Sequence, residues 1–583
     1  MAEFTTRPVI MGTHGVVAAG HYLAAEIGLR VLNRGGNAVD AGVAAGFALN
    51  LLKPQSNGIG GEVPILIHRA GEGRGPKIAA INGQGTAPRR ASIDWFRQNG
   101  IEVIPGDGLL PATVPAAFGA WVVALLYYGT LGLEETLGPT VDLAREGFAT
   151  YPVLRDNIAA NSDKFREQWP SSAEIYLDNG RVPEIGWILR QPDWARTFQK
   201  AIDVEMRERS RGREAGLRAS LDYFYRGEIA EKAVAFASTQ QVLDVTGRPH
   251  RGLLAREDFA EFRTKVEDPA TVNYRGLDVY KCGPWCQGPV FLQQLTLLEG
   301  FDLAALGQGS AEFIHTFIEA AKLAFADREQ YYGDPAFVNV PLHRLLSKEY
   351  AAERRRLIDP LAASPDLRPG GAPPSRPKSV IGVAHVYVGD TTHLDVVDAQ
   401  GNMFSATPSG GWIPSSPVVK GLGFPLGTRA QQFYLDPSHP NALAPGKRPR
   451  TTLTPSLVMK DGRPHMVFGT PGGDTQDQTT LQFFLNVVDF GLNLQAAIDA
   501  PNFWSEHFPS SFYPHSAHPQ RLVVEGRVPP AVREALAAKG HAVVVEADWV
   551  GGQQVSAVRF DPNTGLIEGA ASPRDMSAYA IGR

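Results

Sequence analysis

The chain has 583 residues, of which 43% are hydrophobic and 20% charged, with a net charge of −5 and two cysteines. That apolar content points to a soluble globular protein with ample core. The negative charge, without any Lys/Arg-rich run interleaved with aromatics, argues against nucleic acid as a partner, and two thiols make no disulfide framework.

The start, MAEFTTRPVIMGTHG, lacks the charged opening and apolar stretch of a secretory signal, so the expected location is cytoplasmic. Leu23, Ile27 and Val31 then recur at i+4 spacing and predict a helix that Gly35-Gly36 stops. From Ala38 to about Leu52 small side chains lie all round, which predicts a buried helix, and Pro54 forbids much continuation. This window and another around 120 to 128 fall short of the roughly 20 apolar residues a membrane span requires, so no membrane partner is expected. The region 195 to 260, with RERSRGREAGLRAS, is more charged and reads as a solvated helical excursion.

Cys282 and Cys286 stand in KCGPWCQGP. Their C-x3-C spacing, with no companion Cys or His pair, is a poor zinc signature, and free thiols are expected. Residues 311 to 332 read as an amphipathic helix with Ile314, Phe317, Ile318, Ala321 and Phe325 on one stripe, ended by Gly333-Asp334-Pro335. The Pro/Gly-rich stretch 361 to 380 is suited to be a mobile arm.

After Asp390-Thr391-Thr392-His393 the character changes. THLDVVDAQGNMFSATPS alternates across a turn at Ala399-Gln400-Gly401-Asn402 and predicts a hairpin. Thr391 would then start one strand, and Thr407 and Ser409 near the end of its partner would bring both hydroxyls back beside it. A threonine hydroxyl is a poor nucleophile at neutral pH, but a free α-amino group on the same residue, with a pKa of about 8, can take its proton. Cleavage between Asp390 and Thr391 would create nucleophile and base together. Thr-Thr before alternating apolar residues is equally what an ordinary strand looks like. Thr470-Pro471-Gly472-Gly473-Asp474 reads either as an oxyanion hole or as a tight turn between strand 466 to 469 and the next helix. Neither it nor Asn57-Gly58-Ile59-Gly60-Gly61 has phosphate-loop spacing.

Six ordered segments carry a resemblance that covers nearly the whole chain. They are 15 to 62, ending NRGGNAVDAGVAAGFALNLLKPQSNGIGGE; 111 to 149, beginning PATVPAAFGAW; HTFIEAAKLAFADREQYYGDP (315 to 335); TTHLDVVDAQGN (391 to 402); APGKRPRTTLTPSLV (444 to 458); and 468 to 504, beginning FGTPGGDTQDQTTLQFF. In these the sequence resembles the gamma-glutamyltransferase family of N-terminal-nucleophile hydrolases. The resemblance implies an α/β fold, a four-layer αββα sandwich, and self-cleavage into a large subunit, 1–390, and a small subunit, 391–583. It also implies a small-molecule amide substrate, no metal or organic cofactor, and room for a dimer of heterodimers. Thr391 would be the nucleophile, Ser409 would stand where the family has a threonine that steadies it, and Gly472 and Gly473 would form the oxyanion hole. His393 belongs to the family's TTH signature without being its base. The Cys282–Cys286 loop would lie near the active site, which makes Cys286 a candidate for thiol-reagent sensitivity.

The acyl-binding positions depart from the family. Gln84 stands where an arginine is expected, Gln432 where an aspartate is expected, Gly411 where the family has an amide side chain and Arg429 where it has a glutamine. The hydroxyl pair survives as Thr451 and Thr452, and Thr407 joins these as a candidate substrate contact. Hydrogen bonds to charged groups contribute roughly 1.5–3 kcal/mol each, so neutral amides at 84 and 432 should weaken binding of a zwitterionic γ-glutamyl group. Arg429 reads either as a partner for an acyl carboxylate that lacks a neighbouring amine or as an exposed-loop arginine. The expected activity is that of an autoprocessed amide hydrolase acting on an oxamate-like or dicarboxylic monoamide substrate. The alternatives are a true gamma-glutamyltransferase or glutathione hydrolase with a rearranged pocket, and a degenerate, unprocessed binding protein.

Overall fold

A computed structural model describes residues 4–376, 391–550 and 552–583; Asp390, on one side of the expected cut, lies outside them. Two seven-stranded antiparallel sheets stack face to face. The first runs in the order Tyr579–Gly582, Gly15–Ala19, Leu394–Asp398, Met403–Ala406, Ile65–His68, Ile78–Asn82, Lys265–Glu267. The second runs Ile10–Gly12, Leu566–Ala571, Ser556–Asp561, Arg463–Gly469, Ser456–Lys460, Leu277–Lys281, Ala270–Tyr274. Val16, Leu66, Val397 and Met403 of the first meet Leu457, Val467, Val558 and Ile567 of the second in the inter-sheet core. Helices cover both outer faces, giving the four-layer αββα sandwich.

Tyr22–Asn33 and Ala38–Leu52 lie on the first sheet. Asn37 caps the second of these through Oδ1, which accepts from the amides of Val39 and Asp40 at 2.9 and 3.0 Å, while Asp40 returns a bond to the Asn37 amide. All its side chains are buried, as its small residues predict. A Cβ on Gly42 would come within 2.3 Å of the Phe404 ring and one on Gly46 within 2.5 Å of Trp121, so glycine here sets how closely helix, sheet and outer layer approach.

Other expectations change in packing. The 195 to 260 region is helical, as Pro192–Glu208, Arg213–Arg226 and Glu228–Thr239, yet its inner face belongs to the core: Phe224 stacks on Phe118 with centroids 4.7 Å apart. Helix Ala311–Tyr331 buries its apolar stripe, but its polar side is covered too, because Arg368 reaches Glu319 at 2.7 Å and Lys322 reaches the Ser364 carbonyl at 3.0 Å. The 361 to 380 segment is no loose arm as far as residue 376, since Leu367 and Ser375 exchange backbone bonds at 2.8 and 2.9 Å. Among the described residues no helix is long and apolar enough to cross a membrane.

Candidate active site

The predicted hairpin forms between Leu394–Asp398 and Met403–Ala406, in the register Leu394↔Ala406. A bridge between Thr391 and Ser409 continues that register, so residues 391, 393 and 395 share one face of their strand and meet 409, 407 and 405 directly across the pair. Three successive polar contacts result. Thr391 Oγ1 lies 3.1 Å from Ser409 Oγ, His393 Nδ1 lies 2.9 Å from Thr407 Oγ1, and Ser405 Oγ donates to Asp395 at 2.7 Å. His393 Nε2 faces both Asp395 oxygens at 3.0 Å, so Asp395, which only accepts, fixes the hydrogen on that nitrogen. Thr407 is therefore one cross-strand pair away from Thr391, with its hydroxyl engaged by His393 rather than turned back beside Thr391.

Ser409 is held from its other side as well. It exchanges backbone bonds with Glu62 at 2.9 and 3.0 Å, which draws in the loop Asn57 to Gly61. A Cβ on Gly60 would stand 1.9 Å from the Pro425 carbonyl and one on Gly61 2.1 Å from that of Ser409, so the glycines serve close backbone approach. Gly411, at φ +59°, faces the same loop, and a Cβ there would lie 2.7 Å from the Gly61 amide. The missing side chain at 411 is thus a packing requirement of this loop.

Arg429 is no exposed-loop arginine. It is 1% exposed, pairs with the equally buried Glu62, and donates from Nη2 to Ser409 Oγ at 2.8 Å. Burial pushes the Glu62 carboxyl up, against the pull of the Arg429 charge. Glu62 was not singled out in the sequence; its only signal there is an acidic residue closing the run Gly58-Ile59-Gly60-Gly61. Asp395 also escaped notice, although its period-2 spacing from Thr391 and His393 marks the shared face.

The glycine turn follows Arg463–Gly469, with φ of +122° at Gly472 and +57° at Gly473, and leads into helix Gln476–Val488. The Gly472 carbonyl accepts from the amide and hydroxyl of Thr475 at 3.1 and 2.8 Å. Because C=O and N–H of a trans peptide point opposite ways, this aims the Gly473 N–H out of the turn. The His393 ring packs over Gly469, where a Cβ would come within 2.2 Å of it, so the Thr391–Asp395 segment and the turn are fitted to each other.

Gln84 donates to Thr451 Oγ1 at 2.7 Å. Several polar atoms at the sequence-selected positions are buried without a protein partner: Gln84 Oε1, both amide atoms of Gln432, Thr452 Oγ1, Arg429 Nη1 and the neighbouring Thr470 Oγ1. Cys286 pairs with Thr451 along the backbone, as the expected proximity requires. Both cysteines are wholly buried, and burial raises the Cys282 thiol further, so the expected reagent sensitivity of Cys286 is not supported by access in the folded chain.

Comparison with known proteins agrees with this geometry. The gamma-glutamyltranspeptidase family matches residues 24–582. An acylase ACY 1 proenzyme of Pseudomonas sp. (strain SE83) is 32% identical over 601 aligned positions, covering 100% of this chain and 96% of that one. The structure of LmbA2991HD superposes with a TM-score of 0.93 at 43% identity, covering both chains fully. The cephalosporin acylase from Bacillus halodurans gives a TM-score of 0.83 at 31% identity, over 100% of this chain and 98% of the other. With the family match and these relatives covering nearly the whole chain, this chain belongs to the gamma-glutamyltranspeptidase family and is an amidohydrolase of the N-terminal-nucleophile type.

Proposed function

We infer that the chain cuts itself between Asp390 and Thr391 and then hydrolyses an amide whose acyl group is not γ-glutamyl but small and polar, oxamate-like or a dicarboxylic monoamide. The observation that carries the substrate reading is the set of buried unpartnered atoms on Gln84, Gln432, Thr452 and Thr470 together with Nη1 of Arg429, whose other nitrogens bind Glu62 and Ser409. Amide and hydroxyl donors beside the unpartnered Arg429 Nη1 suit the carboxylate and carbonyl oxygens of such a group. They offer little to an ammonium-bearing head group, because buried charges need charged or multiply bonded partners.

In the proposed reaction Thr391 Oγ attacks the amide carbonyl and its proton passes to the Thr391 α-amine. The Gly472-Gly473 turn stabilises the oxyanion, and Ser409 steadies the attacking oxygen. Collapse breaks the C–N bond, the ammonium proton goes to the departing nitrogen, and an ester on Thr391 remains. Water, deprotonated by the same amine, releases the acid and restores the threonine. The acylase names among the relatives support an amide substrate. Retention of Thr391, Ser409 and both glycines favours catalysis over a binding role.

The test is intact mass and N-terminal sequencing of wild type beside Thr391→Ala, followed by turnover of oxamate, glutaryl amides and glutathione. Fragments 1–390 and 391–583 in wild type only, with glutathione the poorest substrate, are expected. A wild type that stays uncut sinks the mechanism, and preferred glutathione turnover returns the protein to the glutathione hydrolases.

A further inference from the structure

The glycine turn has an apolar neighbour that the reaction above does not use. A cavity of about 290 Å³ is walled by Gly472, Trp504, Phe508, Phe512 and Val550. For scale, an apolar cavity of about 150 Å³ holds a benzene ring, so this one admits a ring with a short substituent. Two contacts tie it to the reacting hydroxyl. Gly472 is both cavity wall and half of the turn, and the Phe512 ring lies 5.6 Å from the Arg429 guanidinium, which donates to Ser409 beside Thr391.

The charges at its rim are neutralised: Glu506 pairs with Arg521 at 3.1 Å and accepts from Trp504 Nε1 at 3.2 Å, and Asp474 pairs with Arg328. The site therefore has two halves of different chemistry. Segments 429–432 and 451–452 with Gln84 carry unpartnered amides and hydroxyls, and the cavity side carries the Trp504, Phe508 and Phe512 rings and Val550, set among Ser505, Ser510 and Ser516. They meet at the 470–473 turn and Arg429.

The geometry points to an aromatic or branched-alkyl group, one ring in size, on the leaving amine, seated in this cavity while the polar half holds the acyl group. This rests on the acyl-transfer reading above. When the C–N bond breaks, the nitrogen takes the proton held by the Thr391 amine and departs as a neutral amine, which suits a wall of rings with no unpaired charge.

The experiment has a binding arm and a kinetic arm. Aniline, neutral at pH 7.5, and methylamine are titrated by ligand-observed NMR against wild type, Trp504→Ala and Ser516→Leu; residue 516 lines the cavity and a leucine there narrows it. Glutaryl benzylamide and glutaryl methylamide are then compared as substrates. Aniline is expected to bind wild type and to be lost in Ser516→Leu. The benzylamide should be favoured about tenfold or more in kcat/KM, and both variants should erase most of that ratio through KM. Equal aniline binding by wild type and Ser516→Leu, or equal kcat/KM for the two amides in wild type, overturns the proposal. A processed protein that turns over neither amide but still loses aniline on Ser516→Leu supports the cavity assignment and overturns the acyl-transfer reading instead.

Discussion

Thr391 Oγ1 and Ser409 Oγ lie 3.1 Å apart on facing strands, and Ser409 Oγ also receives Arg429 Nη2 at 2.8 Å. The guanidinium thereby occupies one lone pair of the serine, whose hydroxyl lies between Arg429 and the threonine oxygen. A hydrogen bond of this kind contributes roughly 1–2 kcal/mol, about tenfold in rate. Ser409→Ala is expected to slow self-cleavage and turnover by about tenfold, and Ser409→Thr to preserve both, as read by the time course of fragment appearance. Unchanged cleavage in Ser409→Ala would show that the serine is only structural.

Glu62 and Arg429 are buried and ion-paired, so removing one partner strands the other. Glu62→Gln or Arg429→Gln should each cost about 3–5 kcal/mol. The Glu62→Gln/Arg429→Gln double variant should recover part of that loss in a denaturant-unfolding measurement. Strict additivity of the single losses would mean that the two side chains are not coupled.

Gly411 combines φ +59° with a Cβ position 2.7 Å from the Gly61 amide. Gly411→Asn, which places an amide side chain here, is expected to destabilise by roughly 1–3 kcal/mol even though asparagine tolerates that φ. The thermal midpoint should fall correspondingly, and a neutral result would show that the Asn57–Gly61 loop yields.

Burial, reinforced by Lys53 at His21 and by Lys322 at His507 and His541, lowers each of these imidazoles to about 3. In the unfolded chain they titrate near 6.5, so between pH 6.5 and 3 the unfolded state binds the extra protons. Their contribution is complete above pH 6.5 and is lost as pH falls. Asp477, raised by burial to about 6, opposes this below pH 6, where the folded state holds the extra proton. His465, lowered to about 4, acts with the three imidazoles and raised carboxyls such as Glu62 act with Asp477; the imidazoles should leave stability at pH 5.5 about 1 kcal/mol or more below that at pH 7.5. His21→Gln should flatten the profile, and a flat wild-type profile contradicts the assignment.

The first sheet interleaves segments from both sides of the expected cut: Tyr579–Gly582 pairs with Gly15–Ala19, which pairs with Leu394–Asp398, and Met403–Ala406 pairs with Ile65–His68. Buried pairs Lys53–Asp575 and Lys281–Asp477 cross it as well. Cleaved fragments are expected to co-elute on gel filtration and to separate only in denaturant. Separation under native conditions would require a different sheet.

Periodicity alone determined the 22–33 and 38–52 helices and the 394–406 hairpin, because alternation and small-residue packing are local patterns that tertiary contacts here reinforce. Motif order pointed to the family, and with it to the sandwich. The face shared by Thr391, His393 and Asp395 follows from period 2, and it was legible as far as His393. What partners each member of that face meets was settled by register, which put Ser409 opposite Thr391 and Thr407 opposite His393. Only the tertiary structure decided the environment of Arg429, since its partner Glu62 is 367 residues away and nothing local announces the pair. The same holds for the apolar inner face of the helices over 195–260 and for helix Ala311–Tyr331, whose charged residues Glu319, Lys322 and Arg328 are buried. A charge in the sequence reads as exposed, and only a distant opposite charge arriving in space makes burying it tolerable.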